Sequence, residues 1–419
     1  MTKKSFFGLG KPKLPYSGVR DIEGEDLKEI PPSTRITLMH KAPNGELGDL
    51  ALSIGDEVRT GQKLNLRETG GEYLTSTTTG TITDISHTTG YAGQSFISVS
   101  IEARSKDLWD DEFENALPFL SCVPGISDLA SLIKTDNPLN TIIINGLDRD
   151  LLIATNQITV KTEAENLAEG IEYLKEITGV KRVIFVVPPS LRMEAEKSGA
   201  EVEVIEPLYP DATPGLLMKN ILNNPVSPSQ NFEDFGVGFI SAEAVVALRT
   251  AFVEEKMPVT KVVTIIDKKN KLTCVKARIG TPVSDILNAL NIDVSEGDRL
   301  VFGGPMSGRG IYSEDMPILH DTDAIMVQDK DQVMSAAKDP CINCGECVRV
   351  CPAKIPVNML IRLLENGLYE EAAQEYDLLS CVECGLCSFV CVMRIPIFHY
   401  IMLGKHELVL TGGLEESNG

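Results

Sequence analysis

The sequence predicts a multidomain chain that is β-rich at its start, α/β in its middle and all-α at its end. Three observations predict this. Short strands broken by glycine turns run from Thr34 to Ala103, apolar strands alternate with helical periodicity from Thr141 to Ile205, and two cysteine runs flanked by helical periodicity close the chain. At 419 residues there is room for two to four domains of about 100–200 residues each.

Composition removes some functions. The net charge of −21 argues against nucleic acid as a partner, because binding phosphates needs basic patches. No stretch approaches the roughly 18 apolar residues of a membrane span. The opening MTKKSFFGLGKPKLPYSG lacks the apolar core of a secretory signal. Eight of the ten cysteines fall in the two runs, which asks for a reducing compartment; Cys122 and Cys274 read as buried or incidental thiols.

Residues 1–30 read as a polar N-terminal arm. Residues 31–105 form the first module, with strands expected at Arg35 to Met39, Leu50 to Ile54 and Ser76 to Ile85. Turns fall at Gly55-Asp56 and Gly61-Gln62, with Val58 and Leu64 pointing inward. The stretches SIGDEVRTGQKL and TSTTTGTITDI resemble the biotinyl/lipoyl barrel-sandwich hammerhead. No lysine stands between its halves, Asn65 to Tyr73, so no covalent carrier is expected and the module reads as scaffold.

Residues 106–256 form a Rossmann-like α/β layer after an acidic connection, Lys106 to Phe119. Strands are expected at Thr141 to Asn145, Arg182 to Val187 and Val202 to Ile205, with helices at Ala164 to Thr178 and Leu191 to Gly199. Parallel sheets of this kind hold nucleotides at their strand C-termini. Here the phosphate-cradling glycines are missing: Val123 to Leu129 offers one glycine, and Gly236-Val237-Gly238 is a partial match better read as a turn. Residues 257–330 form a further small module. A strand pair, Val259 to Ile266 and Leu272 to Ala277, precedes a helix from Pro282 to Leu290 with Thr281 as N-cap, and a strand from Arg299 to Phe302 leads into Gly303-Gly304-Pro305-Met306. That turn reads as structural, with Met306 or Gly308 able to face a neighbouring module.

Residues 331–419 carry the chemistry. Cys341, Cys344, Cys347 and Cys351 form C-x2-C-x2-C-x3-C followed by Pro352, and Cys381, Cys384, Cys387 and Cys391 repeat it. This double run is the ferredoxin pattern in which each run gives three thiolates to one 4Fe-4S cluster and its fourth to the other. The first cluster is then assigned to Cys341, Cys344, Cys347 and Cys391, and the second to Cys381, Cys384, Cys387 and Cys351. Disulfides, zinc and a purely structural cluster pair are the competing readings; zinc favours two C-x2-C pairs over runs of four. Helices expected at Val357 to Leu364 and Tyr369 to Leu379 make the module an α-helical ferredoxin domain. The second run lacks the proline, having Val392. Lys354 and Arg394 are candidates for tuning cluster charge, and Arg349 and Lys405 for partner contact. His40, His87, His320, His399 and His406 show no ligand spacing, and His399 reads as a partly buried or surface residue.

Through CINCGECVRVCP, CVECGLCSFVC, GTPVSDIL and VFGGPMSG, the whole chain resembles the RnfC family, a component of the Rnf electron-transport complexes. The resemblance implies a β-grasp module of the SLBB type at 257–330, two 4Fe-4S clusters, and NADH oxidation through FMN. The sequence departs from the family at the flavin region. Pro124-Gly125-Ile126-Ser127-Asp128 replaces a glycine-rich loop, and Leu147-Asp148-Arg149-Asp150 follows Ile144-Asn145-Gly146 in place of Ala-Glu-Cys-Glu-Pro. Asp211-Ala212-Thr213-Pro214 follows Tyr209-Pro210, and Phe239 to Glu243 is altered. These departures predict that the FMN and NADH sites are lost, so no catalytic hydride-transfer residue is assigned. The expected function is a peripheral electron-transfer subunit on the cytoplasmic side of the cell membrane. It would dock on membrane-embedded and peripheral subunits and be linked to soluble ferredoxin. The alternatives are an NADH:acceptor oxidoreductase with a divergent FMN site and a docking subunit with off-path clusters.

Overall fold

The computed structural model describes residues 12–22, 26–41, 50–67, 72–89, 95–110, 123–126, 129–133, 138–226, 231–333, 336 and 339–411. Cys122, Ser127-Asp128, and most of the acidic connection after Asp110 lie outside them. Among the described residues no helix is long and apolar enough to cross a membrane.

The chain opens with strand β1 (Lys28–Glu29), followed by β2 (Arg35–Lys41), β3 (Glu57–Val58), β4 (Lys63–Asn65), β5 (Tyr73–Thr75), β6 (Gly80–Thr89) and β7 (Ser95–Ala103). Strands β2-β7-β6-β3 form an antiparallel sheet and β4-β5 a separate hairpin. Val58 and Leu64 point inward as expected, into a core with Ile36, Ile82, Val99 and Ile101. Two boundaries differ from expectation. Leu50 to Ile54 is not a strand: its backbone enters the Gly55 turn, where Gly55 N donates to Ile82 O at 2.8 Å. The strand expected from Ser76 starts at Gly80, because the threonines before it spend their hydroxyls locally and on neighbouring segments; Thr77 Oγ1, for one, donates to Ile279 O at 2.6 Å.

Next come α1 (Ala130–Ile133), β8 (Thr141–Asn145), α2 (Thr155–Thr162), α3 (Ala164–Thr178), β9 (Arg182–Val187), α4 (Arg192–Glu196), β10 (Glu201–Val204), α5 (Pro214–Leu222), β11 (Val237–Ser241) and α6 (Ala242–Val253). The strands pair in parallel in the order β10-β9-β8-β11. Both faces of this sheet are covered, which is why the central strands β8 and β9 are apolar without alternation, while the edge strand β10 alternates with Glu201 and Glu203 exposed. On one face Ile142, Ile144, Val183, Phe185 and Val187 pack with α2, α3 and α6, where Tyr173 stacks on Phe252. On the other, Ile143, Ile184 and Val186 meet Leu14 and Tyr16 of the arm together with Val350, Cys384 and Leu386 of the C-terminal helices.

The third set is β12 (Thr260–Ile266), β13 (Leu272–Arg278), α7 (Val283–Ala289), β14 (Arg299–Phe302), β15 (Arg309–Ile311) and β16 (Ala324–Gln328). They form a six-stranded mixed sheet, β1-β13-β12-β16-β14-β15, so the end of the arm contributes an edge strand. Helix α7 is capped differently from expectation. Pro282 occupies the N-cap with no side-chain bond, since Thr281 is tied by its backbone to Arg278 O and Ile318 N. The chain closes with α8 (Glu346–Val350), α9 (Val357–Leu364), α10 (Tyr369–Tyr376), α11 (Leu386–Val390) and α12 (Ile397–Leu410). Helix α10 stops three residues short of the expected Leu379 because Asp377 turns left-handed, at φ 55°.

A buried ion triad joins the two central sheets. Lys261 of β12, fully buried, donates to Glu243 of α6 and, at 3.2 Å, to Asp323, while Val262 N donates to the other Glu243 oxygen at 2.6 Å. Burial pushes the Glu243 carboxyl up, and the lysine beside it pulls the other way. Lys261→Met leaves the carboxylates without their cation and is expected to cost about 3–5 kcal/mol in urea unfolding at pH 8, with the cost falling as pH is lowered because burial raises the Glu243 carboxyl.

Candidate iron–sulfur centre

The two cysteine runs fold as copies of each other displaced by 40 residues, from Cys341 to Cys381. Asn343 and Glu383 take φ of 56° and 57°, Gly345 and Gly385 75° and 66°, Lys354 and Arg394 59° and 56°. The left-handed residues curl each loop so that its amides face its sulfurs. Asn343 N donates to Cys341 Sγ and Glu383 N to Cys381 Sγ, both at 3.4 Å. Cys347 and Cys387 ride on short helices, α8 and α11, which pack on each other. Each fourth cysteine leaves its helix in extended backbone, at φ −60° for Cys351 and −64° for Cys391. That geometry throws it across to the other run.

Cys391 joins Cys341, Cys344 and Cys347 in lining one cavity, with Asn358, Ile395 and Ile397 as further walls. Cys351 lies within electrostatic reach of Cys381 and Cys384, and Cys387 within reach of both. The fourth cysteine of each run thus lies nearer thiols of the other run than its place in the sequence suggests, and Cys387 is also within reach of Cys347. Among the described residues no three histidine, cysteine or acidic side chains converge on a position for a single metal ion. Four sulfurs spread round a cavity with backbone amides aimed at them are donors suited to a polynuclear iron–sulfur cluster. Burial pushes the Cys347 thiol up to about 11 and Cys384 to about 12, and raises Cys381 and Cys387 too. Thiolates in such surroundings need the positive charge of bound iron.

The surroundings of the two loops differ. The first is open: Ile342 is 52 % exposed, Val392 38 %, and nothing lies within 4 Å of a side chain built on Gly345. The second is packed. A Cβ on Gly385 would meet Met306 O at 2.2 Å, and Tyr209 Oη donates to Cys384 O at 2.6 Å. Met306 N and Ser307 N in turn donate to the buried Asp150 carboxylate, at 3.1 and 2.7 Å to its Oδ2. The Gly303-Gly304-Pro305-Met306 turn thus carries the contact between the α/β layer and the second cysteine loop.

The C-terminal edge of the parallel sheet is filled by the chain itself. Ser241 Oγ caps α6 by accepting from Ala244 N at 3.1 Å and donates to Gly125 O at 2.8 Å; Gly125 N donates to His320 O at 2.8 Å. Asp148 accepts from Asn156 N at 2.8 Å and from Gln157 Nε2 at 3.2 Å. Tyr16 and Tyr209 meet edge-on at 5.5 Å, with Ala212 N donating to Tyr16 Oη at 3.4 Å. Three buried carboxylates, Asp148, Asp150 and Glu243, stand along this edge.

Sequence reading had the cysteines but missed the second loop's fasteners, Asp150, Tyr209 and Lys405. Lys405, expected at a partner surface, is turned inward: its Nζ donates to Cys381 O at 2.9 Å and to Glu383 Oε1 at 2.7 Å. Arg349, the other residue expected to meet a partner, is half-buried and pairs with Glu346 one turn before it. His399 is exposed, and Cys274 is buried beside Thr264.

Residues 333–392 match the 4Fe-4S dicluster domain family. The C subunit of the ion-translocating oxidoreductase complex of Pectobacterium carotovorum subsp. carotovorum (strain PC1) is 26 % identical over 379 residues, covering 84 % of this chain and 51 % of that protein. The chain is a homologue of these RnfC proteins. The C subunit of the proton-translocating ferredoxin:NAD(+) oxidoreductase complex of Clostridium ljungdahlii is 26 % identical over 259 residues, 58 % of this chain and 55 % of that one. The chain spans about half the length of the curated relatives it matches. Among solved structures it is similar to an NAD+-reducing [NiFe]-hydrogenase in the H2-reduced state, with a TM-score of 0.46 and 11 % identity over 73 % of this chain and 68 % of that one.

The pH dependence of stability follows from Asp148. Burial raises its carboxyl from 3.8 to about 7. The folded state then holds a proton that the unfolded state has lost, so this stabilisation is full below about pH 4 and is lost as pH rises through about 7. Asp148→Asn removes the titration and is expected to flatten the fall in melting temperature between pH 5 and pH 8, a difference of about 2–4 kcal/mol.

Proposed function

We propose that this chain is a peripheral electron-transfer subunit of a membrane-bound, Rnf-type ion-translocating oxidoreductase, relaying electrons through two 4Fe-4S clusters. The observation that carries it is the crossed convergence of thiols. Cys341, Cys344, Cys347 and Cys391 would hold one cluster; Cys381, Cys384, Cys387 and Cys351 would hold the other. When bound, such clusters supply one-electron transfer. The chain's own residues hold the two sites side by side through α8 and α11 and aim amides at the sulfurs. The open first loop suits exchange with a partner, and the packed second loop suits an interior step.

The donor in this reading is a one-electron protein carrier such as soluble ferredoxin, in place of NADH through FMN. Filling of the sheet's C-terminal edge by buried carboxylates supports it, because an anionic cofactor wants free amides and positive charge there. The sheets at 31–105 and 257–330 act as scaffold, and the subunit sits on the cytoplasmic side of the membrane against embedded and peripheral partners.

The test is an anaerobic visible and EPR titration of the cluster-loaded protein, with NADH in one cuvette and reduced ferredoxin in the other. The expected result is about eight irons per chain, bleaching by ferredoxin and none by NADH. Bleaching by NADH overturns the choice of donor. Cys384→Ser is expected to lose about half the iron and the electron transfer with it, with assembly into the complex checked separately. Electron transfer that survives in an assembled variant overturns the relay.

A further inference from the structure

Two iron–sulfur sites built on a repeat begin equal, and whatever separates them must come from outside the ligands. Each site has four thiols, the same left-handed residues and the same amide-to-sulfur contact at 3.4 Å. The surroundings break this equality. The second loop is packed against Met306 and Tyr209 while the first is open. A reduced cluster carries one more negative charge than an oxidised one, so burial by itself makes the second the harder of the two to reduce.

Lys405 opposes that burden. Under the 40-residue repeat its counterpart in the first half is Glu365, an exposed residue of opposite charge just past the end of α9. Helix α12 runs on past the equivalent point, to Leu410. The two helices cross where Gly404 meets Leu364, its own repeat mate; a Cβ on Gly404 would stand 2.5 Å from Leu364 Cδ2. Lys405, the next residue, has its ammonium on Cys381 O and Glu383, and its side chain is 19 % exposed against 42 % for Glu383. Water screens the carboxylate more than the ammonium, so the pair presents a net positive field to the second site. In the first half, Asn343 stands where Glu383 does and is held by Asn358 Nδ2 at 2.9 Å, a neutral contact.

We propose that Lys405 is a positioning residue for redox tuning, raising the reduction potential of the cluster assigned to Cys381, Cys384, Cys387 and Cys351 against the desolvation that depresses it. This rests on the two-cluster reading above. Lys405 touches no reacting atom; it acts through its field on the loop.

The experiment is an EPR-monitored potentiometric titration of the cluster-loaded protein and three variants, with iron content measured on each. Lys405→Gln keeps a donor for the Cys381 carbonyl and removes the charge. One midpoint is expected to move down, so that the reduced-to-oxidised ratio of that cluster at fixed potential falls about tenfold, while the other midpoint stays. Glu383→Gln is expected to move the same midpoint up, and Lys405→Arg to leave it near the original. The opposite signs are the decisive feature. If the pair only splints the loop, Lys405→Gln and Glu383→Gln break the same bond and shift the midpoint in the same direction, which overturns the proposal, as does no shift in either. Wild-type protein that carries fewer than two clusters overturns the reading beneath it instead, and iron content tells the two failures apart.

Discussion

The packing of the two cysteine-bearing helices against each other is the constraint on which the C-terminal half depends, and the proposed exchange of the fourth cysteine rests on it. The fourth cysteine of each run leaves the helix that bears the third, at φ −60° for Cys351 and −64° for Cys391. Helices α8 and α11 lie against each other, which brings the two runs side by side. The apolar residues after each run follow from the same need. Ile355 and Ile395, Val357 and Ile397 fill one shared core in which the cysteines themselves are members. Local sequence, helix packing and site geometry are here three views of one interlock.

That interlock is not free-standing. Val350, Cys384 and Leu386 belong to the core that also contains Ile143, Ile184 and Val186 of the parallel sheet, and the arm closes over the same face through Leu14 and Tyr16. Tyr209 N donates to Leu14 O at 2.8 Å while its hydroxyl reaches Cys384 O, so one residue spans arm, α/β layer and cysteine loop. Asp150 does similar work from the next turn, accepting the amides of Met306 and Ser307. The sheet's C-terminal edge serves as a socket for the C-terminal module. Buried carboxylates at that edge are tolerable because backbone donors satisfy them.

Periodicity located most of the regular elements. Thr141–Asn145, Ala164–Thr178, Arg182–Val187, Arg299–Phe302 and Val357–Leu364 have the same bounds in structure as in the sequence pattern, because each is long or apolar enough to be decided by its own burial. Errors fell where a partner distant in sequence decides the outcome. Leu50 to Ile54 looks like a strand but is spent on the Gly55 turn, and Thr281 looks like a cap but its backbone is already engaged. At the site, the eight thiols were legible from spacing alone. Asp150 and Tyr209 were not, since a single polar residue in a loop gives no period, and its partner lies more than 150 residues away. Lys405 had a readable sign that was passed over: set beside its repeat mate Glu365, it reverses charge in an otherwise parallel pair of segments.

The openness of the first loop has a cost in air. Ile342 and Val392 stand in solvent on either side of the cavity shared by Cys341, Cys344, Cys347 and Cys391, and nothing shields Gly345. Any passage wide enough for a partner's approach admits dioxygen and peroxide, which attack exposed thiolates first. In the second foursome only Cys381 is partly exposed, against Cys341 and Cys344 in the first, and Met306 and Tyr209 pack on its loop. In the two-cluster reading, oxidation is therefore expected to begin at the outward-facing foursome.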